Sequence, residues 1–293
     1  MARFIKVGGF LRPSGYIPRA RQVGPPRFAL LADRITILPR DQWRPIDLSR
    51  DNPEDMAQRR SNCTSFATIQ TYHIARKQSG LPFIEFSPGS LYPRVNGGAD
   101  QGSTLLDNLI ALIDGGICPS KDVPDLDAWR IRDLPANWKS IAKNYRATEA
   151  WDCPDFAAQA TCLTRGDPTI FGILVGNAFE PGRDGWIPYE RAADGHAMCG
   201  QGLVCRPQCG TRWATIPTLN AEYHIALLEA ITQNAVDWGI KTPNSWNNWG
   251  IPDARGHHYG IVPETYFTSS PFDDGWGLRV VTQAESTPPN HVT

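Results

Sequence analysis

The stretch Ser61-Asn62-Cys63-Thr64-Ser65-Phe66-Ala67 constrains this chain more than any other. A small polar pair stands directly before a cysteine. Phe66, Ile69, Tyr72, His73 and Ile74 then recur at short, mostly helical spacings until Gly80. That periodicity predicts an amphipathic helix, with Ser61 or Asn62 at its N-cap and Gly80 beyond its end. Cys63 in the first turn would lie at the positive end of the helix dipole, where a thiol gives up its proton more easily. A nucleophile would be put there; a buried cysteine on a helix face is the plainer reading of the same residue.

Composition narrows the function classes. A chain of 293 residues can bury one sizeable core, or two lobes meeting at a cleft. A net charge of −1 with 20% charged residues gives no general attraction to nucleic acid or to a membrane surface. No apolar run approaches the roughly 20 residues of a membrane span. The N-terminus has no signal-peptide pattern, so the expectation is synthesis in the cytoplasm without a signal. Seven cysteines are an odd number and leave at least one unpaired thiol within the chain.

In chain order, residues 1–45 read as an extended basic arm. Six arginines and lysines precede the first acid, Asp33, among Gly8-Gly9, Pro13, Gly15, Pro18 and Pro25-Pro26, which disfavours helix and central strand. The arm is either a disordered tail or a segment that embraces another subunit. Beyond the cysteine helix, Ser103 is placed to cap a second helix over Leu105–Ile113 that ends at Gly115-Gly116. Residues 119–153 look loop-like, and a short helix is expected from Asp155 to Leu163 after Pro154. The clearest strand is 169–175. Further strands are expected at 196–204, 259–262 and 276–282, and a helix at 221–236. The expected division is a mainly helical half (46–165), a mainly β half (166–283) with the 221–236 helix inserted, and a peripheral tail (284–293).

Thiol hydrolysis needs a thiolate, an imidazole that exchanges its proton, and a group that fixes the imidazole tautomer. Cys63, His196 and Asn244 can supply these; spacing alone does not select them. His73 lies about three turns from Cys63 and His224 falls within a helix, so both read as packing or surface residues. Cys205 and Cys209 resemble half of a metal-binding turn, but no second pair of ligands is evident, and no metal is expected.

Cys63-Thr64-Ser65-Phe66-Ala67, Ser87-Pro88 to Leu91-Tyr92, Gly195-His196-Ala197-Met198 and Asn244-Ser245-Trp246 with Trp249-Gly250 together resemble the papain-like cysteine peptidases. They resemble most the bacterial and viral branch without the usual disulfides. Asp47-Leu48 is similar to the start of the mature domain there. Cys63 precedes His196 by about 130 residues, within the family's interval. The resemblance covers roughly 43–282 and implies an α+β, two-lobed fold: a helical lobe, a β-barrel-like lobe, and the active-site cleft between them.

By that resemblance Cys63 is the nucleophile, His196 the general base and acid, and Asn244 the residue that orients the imidazole under Trp246. The family's oxyanion glutamine falls on Ala57, and Gln58 one residue later is the candidate to join the Cys63 N–H in the oxyanion hole. Gly102 matches the glycine that pairs with the substrate backbone. Residues 1–45 do not resemble the family's helical pro-regions, and the 221–236 helix reads as an insertion that covers or extends the cleft. The implied activity is hydrolysis of peptide bonds in a peptide or protein substrate, through a thioester and without a cofactor. The arm suggests a phage virion enzyme contacting assembly subunits. The competing reading is an inactive papain-like scaffold protein of a virion.

Overall fold

The computed structural model describes residues 3–18, 35–52, 56–190, 193–209, 221–246, 249–268 and 274–280. The tail from 284 and the end of the last expected strand lie outside these. The central element is α1 (Cys63–Gln78), in which every residue from Cys63 to Arg76 is buried. The expected amphipathic helix is therefore buried on nearly all sides, because α2 (Leu105–Gly115) covers one flank and β-strands the other. Its small polar residues satisfy themselves internally. Thr68 and Thr71 hydroxyls donate to the carbonyls of Thr64 and Ala67, and Ser65 donates to Asn108 Oδ1. Asn62 stands at the N-cap without a capping bond, and Gly80 at φ +71° takes the chain out of the helix. Thr104 rather than Ser103 caps α2, accepting from the Asp107 N–H.

Two short helices follow, α3 (Trp138–Ala142) and α4 (Phe156–Thr164), the latter capped by Asp155. Between them the stretch expected to be a loop contains β4 (Glu149–Asp152). It joins β11 (Gly275–Arg279), β5 (Thr169–Val175) and β6 (Asp194–Gly200) in one antiparallel sheet of order β4-β11-β5-β6. The second sheet has the order β3-β7-β8-β10-β9. Its strands are β3 (Ile46–Asp47), β7 (Gly202–Pro207), β8 (Val236–Thr242), β9 (Ile251–Pro252) and β10 (His258–Pro263). A single residue, Gln201, carries β6 into β7, so the expected strand 196–204 is two strands in two sheets. The β lobe is thus a pair of open antiparallel sheets sharing one corner rather than a closed barrel.

The inserted helix is α5 (Ala221–Thr232), shorter than expected because Val236 already belongs to β8. It rests against β7 and places Ala226, Ala230 and Ile231 in the core. A last helical turn, α6 (Thr265–Thr268), packs on β10. One apolar cluster fills the β lobe around Trp43, Phe171, Trp238 and Ile240; another surrounds α1 with Tyr72, Phe86, Leu109 and Leu112. Each such fully buried side chain contributes about 1.5–3 kcal/mol.

The largest departure from expectation is at the N-terminus. Residues 3–14 form a hairpin, β1 (Arg3–Val7) and β2 (Phe10–Ser14), turned by Gly8 and Gly9 at φ +54° and +85°. Two consecutive glycines at positive φ suit the tight turn of a twisted hairpin. Ile5 and Val7 enter the β-lobe core, and the Gly8 N–H donates to the Asn177 carbonyl at 3.1 Å. The described part of the basic arm therefore docks on its own chain. Proline and glycine excluded a central strand, as the pattern required, but not a two-stranded hairpin.

His73 is a packing residue, as expected. Its Nε2 accepts the Phe86 N–H at 3.0 Å, and burial pushes its pKa down to about 3. A histidine held neutral when folded contributes stability above its unfolded pKa of about 6.5, and that contribution is lost as pH falls towards 3. The melting temperature should therefore drop on acidification from pH 7 to 4. His73→Gln, which keeps an acceptor but cannot take a proton, should show a shallower drop by calorimetry; identical slopes would contradict this.

Candidate active site in a covered cleft

Four elements bring the expected residues together. Cys63 opens α1, His196 lies on β6 opposite Ile173 of β5, Asn244 comes just after the end of β8, and Gln58 precedes α1. His196 Nε2–H donates to Asn244 Oδ1 at 2.9 Å, and the Trp246 N–H donates to the same oxygen at 3.3 Å. Two donors on one oxygen fix the amide orientation, and with it the tautomer: the lone pair is left on His196 Nδ1. The Trp246 ring stacks on the imidazole with centroids 4.1 Å apart, closing this bond off from water. The Ala197 N–H, next in the chain to His196, reaches the Cys63 sulfur.

Gln58 is tied to the same turn. Its N–H donates to the Ser245 carbonyl at 2.8 Å, and its Oε1 accepts from the Ser245 hydroxyl. This leaves the Gln58 amide N–H groups facing the cleft, where Nε2 donates at 3.1 Å to the carbonyl of Pro13 and at 3.0 Å to that of Arg60. The Trp246 indole N–H donates to the same Pro13 carbonyl at 2.8 Å. Despite the one-residue offset from Ala57, Gln58 is bonded to Ser245, in the turn that carries Asn244 and Trp246.

The Pro13 carbonyl belongs to a segment that runs through the cleft. The Ser103 N–H donates to the Gly15 carbonyl at 2.8 Å and the Ile17 N–H to the Ser103 carbonyl at 3.0 Å, pairing Tyr16 with Ser103 in the parallel sense. Gly15 lies so close to the Ser61 backbone that a Cβ would stand 1.8 Å from the Ser61 carbonyl oxygen. A Cβ on Gly102, whose φ is +102°, would stand 2.0 Å from the Gly15 carbonyl oxygen. Gly102, expected to pair with an extended backbone, instead makes room for one, while Ser103 makes the pairing. The cleft is covered, but by residues 13–17 and not by α5.

Cover reverses the electrostatics expected of a helix N-terminus. N–H groups of Ala197, Gly15, Thr64 and Tyr16 all point at the Cys63 sulfur and favour the thiolate, yet burial outweighs them and pushes the thiol up to about 11. Burial likewise lowers His196 to about 4, against the Asn244 bond that raises it. Cys63 and His196 are both fully buried, and His196 Nδ1 has no hydrogen-bond partner. Near neutrality the covered pair is a thiol and a neutral imidazole.

Two contributors have no signal in the local sequence. Ser103 looks like a helix cap, and Asp274, beneath Tyr16, stands in no recognisable motif. Cys205 lies half-buried on β7 and Cys209 is exposed; both are free thiols. Among the described residues no group of three histidines, cysteines or acids is placed to hold a metal ion, and no helix is long and apolar enough to cross a membrane.

Comparison of folds supplies context. The structure superposes on xylellain, a cysteine protease from Xylella fastidiosa, with a TM-score of 0.63 and 20% identity over 96% of this chain and 99% of that one. A digestive procathepsin L from the larval midgut of Tenebrio molitor gives 0.58 at 14% identity, covering 90% of this chain and 74% of that chain. A procathepsin B from Trypanosoma congolense gives 0.58 at 15%, covering 92% and 85%. No protein-family model and no curated protein matches the sequence. At these identities the likeness establishes the fold: this chain has the papain-like α+β fold.

The buried thiol has a measurable consequence. Alkylation of Cys63 by iodoacetamide at pH 7, followed by peptide mass mapping, should be slow in the folded chain and rise about tenfold or more once urea unfolds it, because the covered sulfur has no exposed surface. Equal rates in the folded and unfolded chain would show that the thiol is not held as described.

Proposed function

We propose that this chain is a cysteine-type peptidase held latent by its own residues 13–17. The observation that carries the reading is the bond from His196 Nε2 to Asn244 Oδ1 beneath Trp246, with the N–H of Ala197, the residue next to His196, aimed at the Cys63 sulfur at the start of α1. In an open cleft His196 Nδ1 would take the thiol proton, and the Cys63 sulfur would attack a peptide carbonyl carbon. Gln58 Nε2–H and the Cys63 N–H would hold the developing oxyanion. His196 would pass the proton to the leaving amine as the carbon–nitrogen bond breaks. Water, deprotonated by the same imidazole, would then cleave the thioester and restore the thiol. Asn244 keeps the imidazole in one tautomer throughout.

Two observations support the latent state. The Pro13 carbonyl occupies the Gln58 amide, and Cys63 has no exposed surface from which to attack a substrate. Two of the similar structures are also pro-forms by name. The segment here is a hairpin with an extended continuation, unlike the helical pro-regions to which 1–45 bears no resemblance. The competing reading is a papain-like scaffold without catalysis, and the filled cleft is the observation in its favour. A virion location with assembly partners for the N-terminus rests on the sequence resemblance and the basic arm.

One substitution separates the two. Leucine at position 15 cannot fit against Ser61, so Gly15→Leu in the full chain should expel the segment. It should raise cleavage of a mixed peptide substrate about a hundredfold or more over wild type, the shift expected when a closed state favoured by about 3 kcal/mol is undone. Adding Cys63→Ser or His196→Ala should abolish the gain. A folded Gly15→Leu chain that cleaves nothing would favour the scaffold.

A further inference from the structure

Two thiols face each other outside the covered cleft. Cys153 follows the end of β4, and Cys162 lies near the end of α4. Their sulfurs are 3.3 Å apart, and both residues are buried. All seven cysteines fall within the described residues, and among those this is the one pair of sulfurs in hydrogen-bond contact.

Strand β11 makes room for the contact. A Cβ on Gly277 would stand 2.7 Å from the Cys162 sulfur, and one on Gly275 would stand 1.9 Å from Gln159 Nε2 of α4. Side chains at either position would lift α4 off the strand and part the sulfurs. The Cys153 backbone is fixed from both sides: its N–H donates to the Gly275 carbonyl at 2.8 Å, and its carbonyl accepts from Gln159 Nε2 at 3.4 Å. The surroundings are apolar, with Ala158 in the same cluster and the half-buried Ile35 against it. Ile35 belongs to a stretch tied down on α4, where the Leu38 N–H donates to the Thr161 hydroxyl at 3.1 Å and the Arg165 guanidinium to the Thr36 carbonyl at 2.9 Å. The bond with Cys162 and burial both push the Cys153 pKa up, so the covered pair rests as two thiols.

We propose that Cys153 and Cys162 are a disulfide-forming site, oxidised by a small-molecule disulfide such as oxidised glutathione while the chain folds and before residues 35–38 cover it. The sulfurs need to close by only about 1.3 Å to bond. One protein thiolate attacks the small disulfide, releases a first small thiol and leaves a mixed disulfide. The other thiolate then attacks the protein-bound sulfur, forms the Cys153–Cys162 bond and releases a second small thiol. The chain gives up two electrons and two protons, and the reagent takes up both. The tie acts on the strand with least support: β4 has four residues, lies at the edge of its sheet and pairs with β11 alone. Cys63 lies in the other apolar cluster, around α1, so the inference stands apart from the peptidase reading.

The test uses the full chain, unfolded in urea and refolded with reduced and oxidised glutathione, then quenched with iodoacetamide in urea and digested with trypsin. No lysine or arginine separates the two cysteines, so both fall in one peptide, residues 147–165. That peptide should appear unalkylated and two hydrogens lighter than its reduced form, while the Cys63, Cys118 and Cys199 peptides are alkylated. Dithiothreitol should reverse the change, and Cys153→Ser or Cys162→Ser should abolish it. The unfolded fraction at a fixed urea concentration should be about thirty- to a hundredfold lower for the oxidised chain than for the reduced one. Reduced wild type is itself the reference, so the comparison does not depend on either variant folding. Recovery of both cysteines alkylated, a link from either to a different cysteine, a glutathione adduct that does not resolve, or equal unfolding of oxidised and reduced chains would overturn the inference.

Discussion

The close approach of the Gly15 backbone to Ser61, Gly102 and Ser103 governs the state of the whole site. It works only because two of the residues involved lack a Cβ, and it lets a main chain lie flat across the start of α1. That contact sets the grip of Gln58 and Trp246 on the Pro13 carbonyl, the seating of Tyr16, and the complete burial of Cys63 and His196. The β1–β2 hairpin anchors the segment at one end by placing Ile5 and Val7 in the core.

Burial in turn decides the chemistry of the covered state. The N-terminus of α1 and four N–H groups are arranged to favour a thiolate at Cys63, but solvation lost under the segment is the larger effect, and the thiol keeps its proton. The same loss keeps His196 neutral although Asn244 is bonded to it. An ordered Cys63, His196 and Asn244 arrangement therefore coexists with a protonated thiol and a neutral imidazole. Packing and the bonds among His196, Asn244 and Trp246 set the positions of imidazole, amide and indole, whereas the presence of residues 13–17 sets protonation.

Local signals in the sequence are enough for the elements that carry the site. Helix α1 and strand β5 have them, an apolar repeat and a β-branched run. Cys63, His196, Asn244 and Trp246 sit in short motifs whose order alone suggests one site. Elements that depend on distant partners are not legible in the same way. β4 has only four residues in a polar stretch, and β8 interrupts its pattern with Gly239, because their stability comes from β11 and from β7 and β10. An amphipathic reading of α1 does not reveal that Thr64, Ser65, Thr68 and Thr71 are buried polar residues bonded within the core. Ser103 acts through its backbone and Asp274 through a residue 258 positions away, and neither leaves a mark in local sequence. The N-terminal arm differs from expectation for a related reason: glycine and proline disfavour regular structure in isolation, but here they permit a turn and a tight fit.

An assembled Cys-His-Asn site covered by its own chain is tested most directly by labelling with an epoxide inhibitor of cysteine peptidases. The intact masses of wild type, Gly15→Leu and Gly15→Leu with His196→Ala would be compared over time at neutral pH. The expected result is one adduct on Cys63 that forms slowly in wild type, quickly in Gly15→Leu and slowly again without His196. Equal labelling of wild type and Gly15→Leu, or labelling spread over several cysteines and indifferent to His196, would contradict it.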